Sequence, residues 1–221
     1  MDRAGQRPDS ALSPRLTGLL GGSFNPAHPG HRHISRLAIS LLGLDEIWWL
    51  VSPGNPLKAE TGMAPLSARL ASAHAMSRRL PIRATAIEAQ LGSRYTVDSL
   101  HRLRRRFPKR RFIWLMGADN LATFHHWRRW REIARTVPIA VIIRPGYDKP
   151  ARTAPVMSWF RRFVRPGAQA RNWTNWRPPA LVILSTRPDR TSATAIRARD
   201  PRWHDRFPPR ALRDPISRKL V

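Results

Sequence analysis

The sequence predicts an α/β protein of the Rossmann-like, doubly wound type, with a mainly parallel sheet and helices on both faces. Short apolar runs recur along the 221 residues, most of them separated by segments that can be helical, and this alternation favours parallel pairing. Several runs are continuously apolar, as strands buried on both faces should be. The first run passes into a helix through a glycine-bearing loop, the place where open α/β sheets receive ligands.

The first strand is Leu16–Leu20. It leads through Gly21 to His31 into a helix over Gly30–Leu42, where Ile34, Leu37, Ala38, Leu41 and Leu42 recur at helical spacing. Further strands are expected at Ile47–Val51, Ile82–Ala86, Phe112–Met116, Ile139–Ile143 and Leu181–Leu184. Helices are expected at Ser67–Arg79, Thr96–Arg106, Trp127–Arg135 and Ala193–Arg199, with a last one near Pro209–Lys219 in a helical C-terminal segment, 200–221. Residues 145–179, rich in Arg, Pro and Trp, read as an irregular elaboration. There Trp159, Phe160 and Phe163 form a short helix ended by Arg165-Pro166-Gly167. The length suits one domain over 15–221, preceded by a disordered polar tail over 1–14.

The absence of cysteine excludes disulfides, thiolate zinc sites and cysteine nucleophiles together. The first residues lack the apolar stretch of a secretory signal, and no apolar run approaches the roughly 20 residues of a membrane span. A soluble, cytoplasmic protein without membrane contact is expected. The formal net charge of +26, from 40 Lys and Arg against 14 Asp and Glu, invites a nucleic-acid reading. The arginines, however, are spread along the chain without a recognisable nucleic-acid-binding motif. Polyphosphate substrates combined with an arginine-biased composition account for the excess, and no specific nucleic-acid partner is expected.

The loop Gly21-Gly22-Ser23-Phe24-Asn25-Pro26-Ala27-His28-Pro29-Gly30-His31 has the chemistry of a phosphate cradle. Glycines let backbone N–H groups approach an anion, the following helix presents its positive end, and His28 and His31 add donors or charge. Histidines 28, 31 and 33 could instead bind a metal, but no cysteine or obvious carboxylate ligand accompanies them. The string resembles the G-G-x-F-x-P-x-H-x-G-H signature of the adenylyltransferase and cytidylyltransferase superfamily. Thr191-Ser192-Ala193-Thr194-Ala195-Ile196-Arg197 could simply cap a helix, but it also resembles the superfamily's I-S-x-T-x-x-R motif, with Thr191 in place of the isoleucine.

Gly117-Ala118-Asp119 through Phe124 to Trp127 has a plain reading, with Asp119 capping a helix and Trp127 in the core. It is also similar to the G-x-D-x-L-x-x-F-x-x-W block of bacterial nicotinate-nucleotide adenylyltransferases. Tyr95-Thr96, after Ser93 and Arg94, looks like their S-x-Y-T element, and Arg69 and Arg144-Pro145-Gly146 follow the family order. In the loop Pro53-Gly54-Asn55-Pro56-Leu57-Lys58, Lys58 matches, whereas Leu57 stands where members often have a histidine.

The resemblance implies adenylyl transfer from ATP to nicotinate mononucleotide, giving nicotinate adenine dinucleotide and pyrophosphate. It implies catalytic roles for His28, His31 and Arg197. ATP would meet Gly21, Gly22, Ser23, Phe24, His31, Gly117, Asp119, Arg144, Ser192, Thr194 and Arg197, and the mononucleotide would meet Asn25, Lys58, Tyr95, Thr96 and Trp127. Mg²⁺ would bind through ATP phosphates, without a protein metal ligand. Competing readings are an adenylyltransferase for nicotinamide mononucleotide or phosphopantetheine, and an inactive basic protein that binds nucleic acid.

Overall fold

The computed structural model describes residues 13–54, 62–143, 153–185, 191–208 and 211–221. Its centre is a seven-stranded sheet in the order β3-β2-β1-β4-β5-β7-β6, made of β1 (Arg15–Gly22), β2 (Glu46–Val51), β3 (Ile82–Thr85), β4 (Arg110–Gly117), β5 (Ile139–Ile143), β6 (Val164–Arg165) and β7 (Leu181–Ser185). Every strand pair is parallel.

Helices cover both faces, and strand alternation sorts the core into two layers. Leu19, Trp48, Leu50, Trp114, Met116 and Val141 face one layer with Ile87, Leu100, Phe124, Ile133 and Phe160. Leu20, Ile47, Trp49, Leu115 and Ile142 face the other with Ala38, Leu42, Leu70 and Trp173. The first layer thus belongs to α3 (Ile87–Gln90), α4 (Thr96–Arg106), the 3₁₀ turn Phe124–His126, α6 (Trp130–Thr136) and α7 (Met157–Phe160). The second belongs to α1 (Pro29–Leu42), α2 (Leu66–Ser77) and the 3₁₀ stretch Gly167–Asn175. Two other helices, α5 (Ala118–Thr123) and α8 (Ala193–Arg199), follow the carboxyl-side loops.

The doubly wound expectation is met, but two helices differ from the sequence reading. The segment expected to be helical over Trp127–Arg135 begins its helix only at Trp130. Trp127 is extended at ψ 134° and Arg129 takes a left-handed φ of 54° as the cap residue, so the chain turns sharply before α6. No helix forms near Pro209–Lys219 among the described residues, and the 200–221 segment carries only the short 3₁₀ turn Trp203–Arg206. Instead, Arg213 pairs with Leu220 in an antiparallel bridge. Inside that turn Asp214 accepts hydrogen bonds from the backbone N–H of Ile216 and Ser217, and it reaches across to Thr85 Oγ1 and the Ala86 N–H. Local capture of N–H groups by an Asp side chain competes with helix formation. The 1–14 tail lies outside the described residues apart from Ser13 and Pro14.

Strand order reverses between β1 and β4, because the chain runs outward to β2 and β3 from one and to β5 from the other. The crevice beyond their carboxyl ends is where such sheets bind ligands. It is bounded by the loop entering α1 and by α5.

Candidate active site

A cleft of about 630 Å³ opens at this switch point. Its first wall is the loop after β1, which rests on a bed of aromatic rings. Phe24 is buried at a positive φ of 47° and stacks on Trp49 with centroids 5.2 Å apart. Trp49 Nε1 donates to Ser35 Oγ at 2.8 Å, and Ser35 Oγ donates to the His31 carbonyl at 2.8 Å. Gly21 lets the loop descend onto Trp114, whose ring would stand 2.7 Å from a Cβ at that position.

His28 caps α1 in an extended conformation, and its N–H donates to His31 Nδ1 at 3.2 Å. The two rings lie 3.8 Å apart between centroids. With Nδ1 accepting, neutral His31 carries its proton on Nε2 as a donor. Gly30 permits this packing, since a Cβ there would come within 2.9 Å of the His28 ring.

The loop ends are held from behind by Arg69 of α2, which is buried. Its guanidinium donates to the carbonyls of Ala64 (2.9 Å), Ser23 (2.8 Å), Ser52 (2.7 Å) and Pro53 (3.3 Å). Burial pushes its pKa down to about 10, and it remains cationic near neutrality. Arg69 thereby ties the loop after β1 to the one after β2.

The second wall comes from β4 and α5. Gly117 is the cap residue of α5, and Asp119 sits in its first turn, which corrects the plain reading of Asp119 as the cap. The Asp119 carboxylate folds back over Gly117, where a Cβ would meet Oδ1 at 2.4 Å. Trp127, half-buried, lines the cleft and packs against the edge of the core, set edge-on to Trp114 at 6.1 Å and to Phe124 at 5.3 Å.

The third wall is the start of α4, with Arg94, Tyr95 and Thr96. The Arg128 guanidinium lies 4.5 Å over the Tyr95 ring. Opposite stands α8, whose cap Ser192 accepts from the Ala195 N–H at 3.1 Å and lines the cleft. Arg197 donates to the Asn25 carbonyl at 2.6 Å and to Thr194 Oγ1 at 3.4 Å, pinning α8 against the first loop.

One cleft therefore gathers Gly21, Gly22, Ser23, Phe24, Asn25, His28, His31, Tyr95, Thr96, Gly117, Asp119, Trp127 and Ser192. Thr194 and Arg197 are not among the lining residues, and Arg197 reaches the loop through the Asn25 carbonyl. Lys58 and Arg144 lie outside the described residues. Sequence reasoning missed Ser52, Glu88, Arg94, Trp114, Asn120 and Arg128 as lining residues, whereas His126, close in sequence to the Trp127 ring site, lines the cleft as its position suggests. Glu88 is the one with unusual acid–base chemistry, because burial pushes its carboxyl up to about 7 against an opposing Ser99 hydrogen bond. No local motif announces it, since its burial depends on α3, α4 and the sheet meeting.

A switch-point cleft with a glycine–histidine loop and a facing hydroxyl-capped helix defines the nucleotidyltransferase class. The sequence profile of the cytidylyltransferase-like family matches residues 19–199, and the chain belongs to that family. It is 58% identical to the probable nicotinate-nucleotide adenylyltransferase of Erythrobacter litoralis, over 93% of this chain and 94% of that protein. With the corresponding protein of Parvibaculum lavamentivorans it shares 52% identity over 85% of this chain and 94% of the relative. Within the family, the chain thus belongs with the nicotinate-nucleotide adenylyltransferases. The fold is shared with the solved structure of the Plasmodium falciparum nicotinic acid mononucleotide adenylyltransferase, at a TM-score of 0.60, 14% identity and 83% coverage of each chain.

Proposed function

We propose that the protein transfers the adenylyl group of ATP to nicotinate mononucleotide, forming nicotinate adenine dinucleotide and releasing pyrophosphate in the biosynthesis of NAD. The observation that carries this reading is the convergence of three sequence motifs, far apart in the chain, on one cleft. A phosphate oxygen of the mononucleotide attacks the α-phosphorus of ATP, and the bond to the pyrophosphate leaving group breaks. The acceptor phosphate is already anionic, so the protein needs no nucleophile of its own. Its task is to align two polyanions and offset their repulsion.

In this reading the N–H groups of Gly22 to Phe24 and the His28 and His31 rings receive the ATP phosphates, with Ser192 beside them and Asp119 on the adenylate ribose, while Arg197, bonded to Thr194, supports the loop through the Asn25 carbonyl. Lys58 and Arg144 add charge to the two substrates. Asn25, Tyr95, Thr96 and Trp127 hold the mononucleotide, with Trp127 against the pyridine ring. The cations Arg94 and Arg128 on that wall favour the carboxylate of nicotinate over the amide of nicotinamide. A wall of N–H donors and imidazoles suits phosphate oxygens, which are themselves Mg²⁺ ligands. Bound there, the ion would supply further charge neutralisation. Among the described residues no helix is long and apolar enough to cross a membrane, and a cytoplasmic setting fits ATP and a phosphorylated acceptor.

The test is to incubate the pure protein with ATP, Mg²⁺ and, separately, nicotinate mononucleotide, nicotinamide mononucleotide or phosphopantetheine, following pyrophosphate and the mass of the product. Pyrophosphate released fastest with nicotinate mononucleotide is expected. Release with phosphopantetheine alone would overturn the assignment.

A further inference from the structure

We propose that Glu88 is a positioning residue for the acceptor: as a neutral acid it heads a one-way hydrogen-bond chain through Ser99 and Ser93 to the Tyr95 carbonyl, and so keeps negative charge off the wall that receives the nicotinate carboxylate. This rests on the function proposed above and names a determinant of acceptor choice within it.

Counting protons gives the direction of the chain. Ser93 Oγ lies 3.0 Å from the Tyr95 carbonyl oxygen, which has no proton, so Ser93 donates. Ser99 Oγ lies 3.0 Å from Ser93 Oγ, whose single proton is already used, so Ser99 donates in turn. Ser99 Oγ also lies 2.6 Å from Glu88 Oε1. A hydroxyl has one proton, and that of Ser99 is committed to Ser93. In the neutral acid the hydrogen in this shortest contact is the carboxyl's, whereas toward an ionised carboxylate Ser99 donates it. All three residues are buried, and Glu88 also lines the cleft.

The far end of the chain is a functional point. The Tyr95 carbonyl is the first acceptor of α4, taking the N–H groups of Asp98 and Ser99 at 3.1 Å each. Ser93 adds a third donor and fixes the turn that presents Tyr95 and Thr96 to the cleft. The Ser93 N–H donates to the Glu88 carbonyl at 3.0 Å, closing the loop between them.

Burial supports the neutral state by moving the Glu88 carboxyl up to about 7. The ionisable groups that line the cleft with Glu88 are Arg94, Tyr95, His126, Arg128, Asp119, His28 and His31; Asp98 adjoins Ser99 on α4, and Asp214 of the C-terminal turn bonds Ala86, two residues before Glu88. Asp214 is engaged by Thr85 and Ala86, and Asp98 lies 3.6 Å from Arg129. Desolvation is the cause of the Glu88 shift, opposed by the Ser99 bond. Once ionised, Glu88 would draw the Ser99 proton to itself, release Ser93 from its fixed direction and place a negative charge beside the acceptor.

The experiment measures KM for nicotinate and nicotinamide mononucleotide from about pH 5.5 to about pH 8.5 in the native protein and in Glu88→Gln and Glu88→Ala. The acceptor phosphate titrates near pH 6 in both substrates, so it cancels in the ratio of the two KM values. In the native protein the ratio of the nicotinate to the nicotinamide value should rise roughly tenfold as pH passes 7. Glu88→Gln, whose amide N–H can donate to Ser99 without titrating, should flatten it. Glu88→Ala should flatten it too, and below the Glu88 pKa of about 7 it should raise both KM values because the chain is cut. An infrared band of a protonated carboxyl, present in native protein at pH 6 and absent from Glu88→Gln, is the readout independent of activity. Transfer with a ratio that does not change with pH, or with a slope retained in Glu88→Gln, would overturn the proposal and leave the function standing. Transfer to neither mononucleotide would overturn both.

Discussion

At His31 the backbone decides what the ring can do. The His28 N–H occupies Nδ1, and in the proposed reaction Nε2 is the atom that meets the transferring phosphate. A donor aimed at charge that develops in the transition state contributes mainly to kcat. His31→Ala should therefore lower kcat on the order of a hundredfold with little change in either KM, as steady-state kinetics would read. A loss confined to KM would make the residue a ground-state binder. Trp127 has the opposite signature, because a stacking ring holds substrate and transition state alike. Trp127→Ala should raise KM for the mononucleotide roughly tenfold or more and leave that for ATP unchanged. Equal rises for both substrates would remove Trp127 from the acceptor subsite. These residues were legible because the motif fixes both their identity and their spacing. Glu88 was not, because a lone Glu in a short helix acquires its chemistry only when Ser93 and Ser99 fold against it.

Among the elements, α2 shows how a helix far from the reacting atoms shapes the cleft. Arg69 delivers a buried cation to carbonyls from the loops after β1 and β2, and no carboxylate is among its described hydrogen-bond partners. Arg69→Met would keep the volume and strand those carbonyls without donors. The expected cost is about 3 kcal/mol, the scale of charge-assisted bonds left unmade in a buried site, read as a lowered denaturant midpoint. A change within experimental error would show the loops to be held by other contacts. Strands were the most legible elements, since burial on both faces writes a continuous apolar run into the sequence. Helix ends were less so where distant contacts decide them. The left-handed turn at Arg129 delays α6, and Asp214 turns the last residues into a clasp on β3 because Thr85 and Ala86 are there to meet it.

For the molecule as a whole, net charge and site separate. The densest basic run, Arg104 to Arg106 with Lys109 and Arg111, is exposed and lies near the amino end of β4, whereas the cleft lies beyond its carboxyl end at Gly117. The composition therefore announced a taste for polyanions without pointing to the cleft, and the motifs supplied the place. Global stability should also register the cleft, through Glu88. Its carboxyl titrates at about 7 in the folded chain against 4.5 as the reference value. Between those values the native state keeps a proton that the unfolded state has released, so stability falls as pH rises through this window and levels off above it. The loss is about 3 kcal/mol, from 1.36 kcal/mol per pH unit. Other groups work in the opposite sense, among them His74 and Glu46. Burial lowers the pKa of His74 despite Asp214, so the folded state gains as pH rises toward 6.5. Glu46 is also buried, which opposes its ionisation. Bonds from Trp48, Arg110 and Arg83 nonetheless hold it below 4.5, and its contribution is lost only in acid. Native protein alone would show the sum of these effects, whereas the difference between native and Glu88→Gln isolates the carboxyl. Denaturant unfolding of both across the window should show native protein losing about 3 kcal/mol relative to the variant as pH rises from 4.5 to 7. A constant difference would mean that Glu88 titrates alike in the folded and unfolded chain, and that the carboxyl proton counted in the chain to Tyr95 is not there.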